Sequence, residues 1–125
     1  MFELTVRSHF DSAHFLRNYQ GKCANIHGHC WQIEATVFGD QLDELGMVID
    51  FSVIKAELRQ ITEELDHKLI NDLPEFAEDQ ANPTAEQLSM YIYKRLKQGL
   101  SKHPITMGWV RVWESPNAAV TYRED

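Results

Sequence analysis

Two kinds of periodicity, strand-like at both ends of the chain and helical in the middle, restrict this sequence to few folds. Phe2, Leu4, Val6, Ser8 and Phe10 alternate with Glu3, Thr5, Arg7 and His9, the period-2 pattern of a half-buried strand. A second strand is expected from about His29 to Phe38, with Trp31, Ile33, Ala35 and Val37 on one face and Gln32, Glu34 and Thr36 on the other. Ile54, Leu58, Ile61 and Leu65 then recur at helical spacing behind Ser52, a candidate N-cap. After the break at Asn82-Pro83, residues Thr84 to Gln87 read as a capping box. Leu88, Tyr91, Ile92 and Leu96 form a second apolar stripe, which Gly99 is placed to end. Val110 and Val112 share a strand face with Glu114, and a last strand follows around Val120 to Tyr122. The order strand, strand, helix, helix, strand, strand (ββααββ) predicts an α+β fold: a four-stranded antiparallel sheet with both helices on one face.

No repeat, low-complexity tract or Pro/Gly linker divides the 125 residues, so residues 1–125 read as one domain, long enough to bury a core. With 43% hydrophobic and 25% charged residues, disorder, collagen and coiled coil are excluded. Apolar runs are only a few residues long, so no membrane span is expected. A net charge of −7 without a Lys/Arg cluster argues against nucleic acid as a partner. A small anionic substrate remains compatible, because a few local cations can hold it. The first residues lack the charged-then-apolar layout of a secretory leader, so a cytoplasmic protein is expected, with Cys23 and Cys30 as reduced thiols.

Three histidines attract attention. His27 and His29 flank Gly28 at the start of the second strand, where residues two apart point the same way. Gly28 adds no bulk and lets the backbone approach a ligand. His14 has the parity of Phe2, Leu4, Val6 and Phe10, so an antiparallel pairing of strands one and two would gather three imidazoles at one corner. Three His ligands with an open fourth position suit a catalytic zinc; each can equally be an ordinary strand-end histidine. Cys23, four residues before His27, is either a base or nucleophile near a metal or a fourth ligand. Cys30 has the opposite parity from His29 and is expected to be a packed small hydrophobe. Asp66-His67 pairs a carboxylate with an imidazole, as acid/base chemistry uses, though a histidine after a helix also suits the macrodipole. Glu114, at the edge of an apolar face, either meets solvent or takes a donor-rich, guanidine-like ring edge. His27-x-His29-x4-Glu34 also resembles the first cupin metal motif, but Glu34 has the wrong parity and two helices leave no room for a jelly roll.

Taken together, these segments resemble the 6-pyruvoyl-tetrahydropterin synthase family, which has the tunnelling fold (T-fold). The similarity runs nearly end to end: Phe10-Asp11-Ser12-Ala13-His14, Cys23 to His29, Val48-Ile49-Asp50-Phe51, Leu65-Asp66-His67, Leu69-Ile70-Asn71, Asn82-Pro83-Thr84 and Glu114. The spacing Cys23-x3-His27-x-His29 is similar to the branch that forms 6-carboxy-tetrahydropterin for queuosine; the animal 6-pyruvoyl type has a longer gap. The resemblance implies a Zn2+ held by His14, His27 and His29, with Cys23 as catalytic thiol, Asp66 and His67 as its acid/base partners and Glu114 as pterin anchor. It implies 7,8-dihydroneopterin triphosphate as substrate, and 6-carboxy-5,6,7,8-tetrahydropterin, acetaldehyde and triphosphate as products. It also implies a homohexamer of two stacked trimers with active sites between subunits. Formation of 6-pyruvoyl-tetrahydropterin, cleavage of sepiapterin, and a zinc-stabilised binding module without turnover stay open as alternatives. Cys30 stands where the family often has a small polar residue. Arg17, Lys22 and Lys68 are candidate triphosphate cations or simply solvated surface.

Overall fold

The computed structural model describes residues 1–124. Strands β1 (Phe2–His14), β2 (His27–Gly39), β3 (Thr106–Ser115) and β4 (Ala118–Tyr122) form one antiparallel sheet in the order β1-β2-β3-β4. Helix α1 (Phe51–Leu65) packs on β1, and helix α2 (Ala85–Gly99) packs on β3 and β4. The sheet face beneath the helices carries Phe10, Trp31, Ile33, Val110 and Val112, all fully buried together with Ile54, Leu58, Leu88, Ile92 and Leu96. Fifteen-residue helices are marginal alone in water. Burial stabilises by about 1.5–3 kcal/mol for each large apolar side chain, and that is what holds these two.

The strands that matter run further than their apolar pattern suggested. β1 continues from Phe10 to His14, and β2 starts at His27 rather than His29. Ladder hydrogen bonds need only backbone groups, so polar residues extend a strand without leaving an apolar signal. The register is continuous from Phe2 opposite Gly39 to His14 opposite His27. A bulge at Thr36/Val37 interrupts the pairing of β2 with β3. Gly108 sits against it, where a Cβ would meet the Thr36 carbonyl at 2.9 Å, so only glycine fits without displacement. Glu34 faces away from the helices, accepts from Trp113 Nε1 at 2.7 Å and lies 3.6 Å from Arg7, which disposes of a cupin-like ligand role.

The helix ends differ in detail from expectation. The N-cap of α1 is Asp50, whose carboxylate accepts from Ser52 N–H at 2.8 Å; Ser52 lies inside the first turn. Asp and Ser are both good caps, and a carboxylate also answers the positive end of the helix dipole. That contact holds the Asp50 carboxyl below its ordinary range. Thr84 caps α2, accepting from Gln87 N–H at 3.1 Å, but the expected box is only half formed, because Thr84 N–H donates to the Asn82 carbonyl at 2.8 Å instead of to the Gln87 side chain. Gly99 is the last helical residue and Leu100 the cap, with the Glu57 carboxylate lying over position 99. Among the described residues no helix is long and apolar enough to cross a membrane. Urea unfolding checks the caps: Thr84→Ala should cost about 1 kcal/mol. Asp50→Ala should lower the midpoint, and Ser52→Ala should leave it unchanged.

Candidate active site

The β1–β2 register brings His14, His27 and His29 together at one end of the sheet. One ring nitrogen from each lies within 4.8 Å of the others. The three rings are mutually edge-on, with centroids 4.5 to 5.2 Å apart. Trp31 underlies two of them, 5.0 Å from His14 and 5.1 Å from His29. Trp31 is itself stacked on Phe10 and tied by its N–H to the Ser12 carbonyl.

Two backbone carbonyls settle how the imidazoles point. His14 Nδ1 is 2.7 Å from the Pro83 carbonyl, and His27 Nδ1 is 2.7 Å from the Asn25 carbonyl. A carbonyl oxygen only accepts, so each Nδ1 carries the proton and each Nε2 keeps its lone pair. His14 Nε2 and His29 Nε2 are buried without any hydrogen-bond partner. A buried unpartnered nitrogen is costly, and a cation at the centre of the triad removes that cost. Desolvation lowers the pKa of both His14 and His29, favouring the neutral, metal-binding ring. Glu114 Oε1 lies 3.7 Å from His29 Nε2 and opposes that shift. These donors fit a divalent metal with histidine ligands and an open position.

Asp66 and His67 form a pair at the end of α1. Asp66 Oδ2 accepts from His67 Nδ1 at 2.8 Å, and Asp66 Oδ1 accepts from Asp11 N–H at 2.9 Å. His67 adopts a left-handed backbone, φ 55°. That conformation costs a non-glycine residue on the order of 1 kcal/mol. The His67 N–H bond to the Asp11 carbonyl, 2.6 Å, holds it there, and Ala13 N–H to the Lys68 carbonyl continues the docking onto β1. Ser12 Oγ donates to the Leu65 carbonyl from the same strand. His67 remains 79% exposed, so the ring is fixed in direction yet open to a ligand. His29, Gly28, His67 and Lys68 line one cleft of about 530 Å³. Gly28 keeps it open, since the only neighbour a Cβ would meet is the Ser12 carbonyl at 3.9 Å.

Cys23 lies in a short turn, Lys22–Ala24, half-buried and free, with its carbonyl accepting from Leu16 N–H at 2.8 Å. It does not line the cleft and is not one of the converging ligand atoms. Within one chain, then, the triad meets Glu114, Asp66 meets His67, and Cys23 stands apart. Cys30 is not packed: it is exposed, and hydrogen bonding and charge from Asp11 raise its pKa. Opposite parity to His29 turned it to the solvent face of the sheet. Arg17 is half-buried and engaged within the chain rather than being free surface charge. Its guanidinium donates to the carbonyls of Phe76 (2.8 Å), Ala81 (2.9 Å) and Gln80 (3.4 Å). Lys68 borders the cleft, and Lys22 is exposed beside Cys23. The carbonyls of Asn25 and Pro83 escaped sequence reasoning because a main-chain acceptor carries no residue-type signal.

Comparison with known proteins agrees with this fold. The family model for 6-pyruvoyl tetrahydropterin synthase matches residues 3–125. A 6-carboxy-5,6,7,8-tetrahydropterin synthase of Bacillus subtilis is 35% identical over 127 residues, covering 98% of this chain and 85% of the relative. One of Haemophilus influenzae is 30% identical, covering 99% and 100%. Among solved structures, 6-pyruvoyl tetrahydropterin synthase of Caenorhabditis elegans superposes with a TM-score of 0.86 at 26% identity, covering 99% of this chain and 96% of that one.

The Asp66–His67 contact makes a titration testable. Asp66 is held below its ordinary pKa by Asp11 N–H and then by His67, while His67 is raised by Asp66. The raised His67 contributes stability that is complete below an ordinary histidine pKa and lost as pH rises through its own. The depressed Asp66 contributes stability present above the usual carboxylate pKa and lost as pH falls through its lowered one. The ion pair therefore persists between those two limits. In Asp66→Asn, the His67 ring protons followed by NMR should titrate at lower pH than in the parent. An unchanged midpoint would show that Asp66 does not hold the ring.

Proposed function

The chain belongs to the 6-pyruvoyl tetrahydropterin synthase family, and from that membership we propose that it is a zinc-dependent carbon–carbon lyase. Its substrate would be 7,8-dihydroneopterin triphosphate, and its products 6-carboxy-5,6,7,8-tetrahydropterin, acetaldehyde and triphosphate, in queuosine biosynthesis. The observation that carries this reading is the unpartnered Nε2 of His14 and His29 converging with His27 in a chain whose curated relatives include 6-carboxy-tetrahydropterin synthases. We take residues 1–125 to be one catalytic domain acting in the cytoplasm, with both cysteines as thiols.

A bound zinc would supply Lewis acidity toward the substrate's side-chain hydroxyls. The rest falls to the chain. Glu114, beside His29, offers a carboxylate to the adjacent N–H groups of the pterin edge and so sets the side chain against the triad. Gly28 leaves room in the cleft for that side chain. His67, protonated over a widened pH range by Asp66, gives and retrieves a proton at Nε2, because Nδ1 is committed to the carboxylate. Cys23 serves as the second proton-transfer group through its Sγ. The redox change is internal to the substrate, so no nicotinamide is required. Cys23 and the Asp66–His67 pair do not meet within one chain, which favours sites completed between subunits.

The sheet favours the same assembly. β1 and β4 are its edge strands, and exposed edges must be paired or blunted. Closing several sheets into a barrel removes them, and the family resemblance implies a homohexamer of two stacked trimers as the closed form. Light scattering at micromolar concentration should report six copies; a monomer would refute it.

Incubation with 7,8-dihydroneopterin triphosphate, followed by aldehyde trapping and mass spectrometry, tests the reaction. Acetaldehyde and a pterin with a one-carbon carboxylate are expected. The likeness to the C. elegans structure supports a second reading, 6-pyruvoyl-tetrahydropterin formation, which would leave all three side-chain carbons on the pterin. Cys23→Ala and His67→Ala should each lower turnover by at least about a hundredfold. Cys23→Ala should retain near-stoichiometric zinc, and Glu114→Ala should mainly raise KM.

A further inference from the structure

Past the end of β1 the chain is held by side chains that act like a neighbouring strand. Phe15 N–H donates to Asn71 Oδ1 at 3.0 Å, and Asn71 Nδ2 returns a bond to the Phe15 carbonyl at 3.0 Å. Two residues on, Arg17 N–H donates to Asn82 Oδ1 at 2.9 Å, and Asn82 Nδ2 donates to the Arg17 carbonyl at 3.2 Å. Each carboxamide presents one donor and one acceptor, as a strand residue does in a hydrogen-bonded pair. Between them, Leu16 N–H reaches the Cys23 carbonyl.

The Asn82 contact does more than prolong a strand. Arg17 also spans the carbonyls of Phe76, Gln80 and Ala81, so residues 76–82 are fastened to residue 17 at both side chain and backbone. The next residue, Pro83, supplies the carbonyl that accepts from His14 Nδ1. Pro83 has a locked φ, and Thr84 N–H donates to the Asn82 carbonyl at 2.8 Å across it, so the turn that orients the Pro83 carbonyl is closed on Asn82 and moves with it. His14 is only 1% exposed, so with the segment in place the carbonyl, and not solvent, is the partner of Nδ1.

We infer that the Arg17–Asn82 clasp is a positioning device for the metal centre, holding the Pro83 carbonyl on His14 and thereby the Nε2 lone pair on the metal. Without the clasp, the 76–83 segment is free to move from residue 17 and Nδ1 loses its acceptor. The ring then rotates or shifts its proton to Nε2, where it competes with the ligand bond. Arginine suits this task because its planar fork reaches several carbonyls at once, which a lysine ammonium at one point does not. The inference rests on His14, His27 and His29 being metal ligands, and is independent of which pterin reaction follows.

Zinc affinity of the whole protein, measured by chelator competition, and the visible spectrum of its Co2+-loaded form test it. Arg17→Ala and Asn82→Ala should each weaken zinc binding about 10- to 100-fold and alter the cobalt band. The double variant should lose little more than the worse single one, because the two residues act as one unit. Asn82→Asp keeps the acceptor for Arg17 N–H but cannot donate to the Arg17 carbonyl, and Arg17→Lys keeps charge without the fork. Both should fall between parent and alanine variants, and they decide the matter if the alanine variants do not fold. Folded Asn82→Asp and Arg17→Lys with parental zinc affinity and cobalt spectrum would overturn the clasp. A parent that takes up no zinc would instead overturn the metal reading on which it stands.

Discussion

Thirteen antiparallel residue pairs between β1 and β2 set the position of almost everything else in the molecule. Side chains alternate along a strand, so a slip of one residue would turn Phe10 and Val6 to solvent and separate His14 from the other two histidines. The same parity that buries Phe10 and Trp31 gathers the triad, and this candidate metal site lies at the end of the core face itself. Trp31 belongs to both, packed on Phe10 from one side and under the imidazoles on the other. Stability and function are therefore coupled through one register, and the core resists the slip that would dismantle the site.

Around that frame, main-chain atoms carry much of the chemical specification. The carbonyls of Pro83 and Asn25 assign the tautomers of His14 and His27. The backbone of Asp11 receives both Asp66 and His67, so the strand that carries His14 also orients the Asp66–His67 pair. His67 accepts a left-handed backbone in the process, a local cost offset by two hydrogen bonds that leave its outer nitrogen free. β1 thus serves as the reference edge for the triad on one side and for the end of α1 on the other.

The segments around Asn71 and Asn82 pack Ile70 and Phe76 into the core and are tied to the chain just past β1 by polar side chains. Asn71, Asn82 and Arg17 satisfy backbone groups that no strand reaches. Such fully paired polar contacts give direction where hydrophobic burial alone does not, and direction is what a ligand nitrogen or a proton donor needs.

Period-2 and helical spacing in the sequence determined the six elements, their antiparallel α+β arrangement and the apolar face of each, because burial imposes those periods directly. His14, His27 and His29 were legible for the same reason: their parity matches the core residues beside them. Other features depended on the folded chain. Whether Asp50 or Ser52 caps α1 turned on which side chain reached a particular N–H. Cys30 lay on the solvent face although its residue type favours burial. Arg17 looked like surface charge and proved to be a clamp on three carbonyls. The tautomers of His14 and His27 and the direction of His67 were decided only in three dimensions. Each rests on a backbone donor or acceptor up to 69 residues away, and a main-chain group is the same at every position until folding selects its partner.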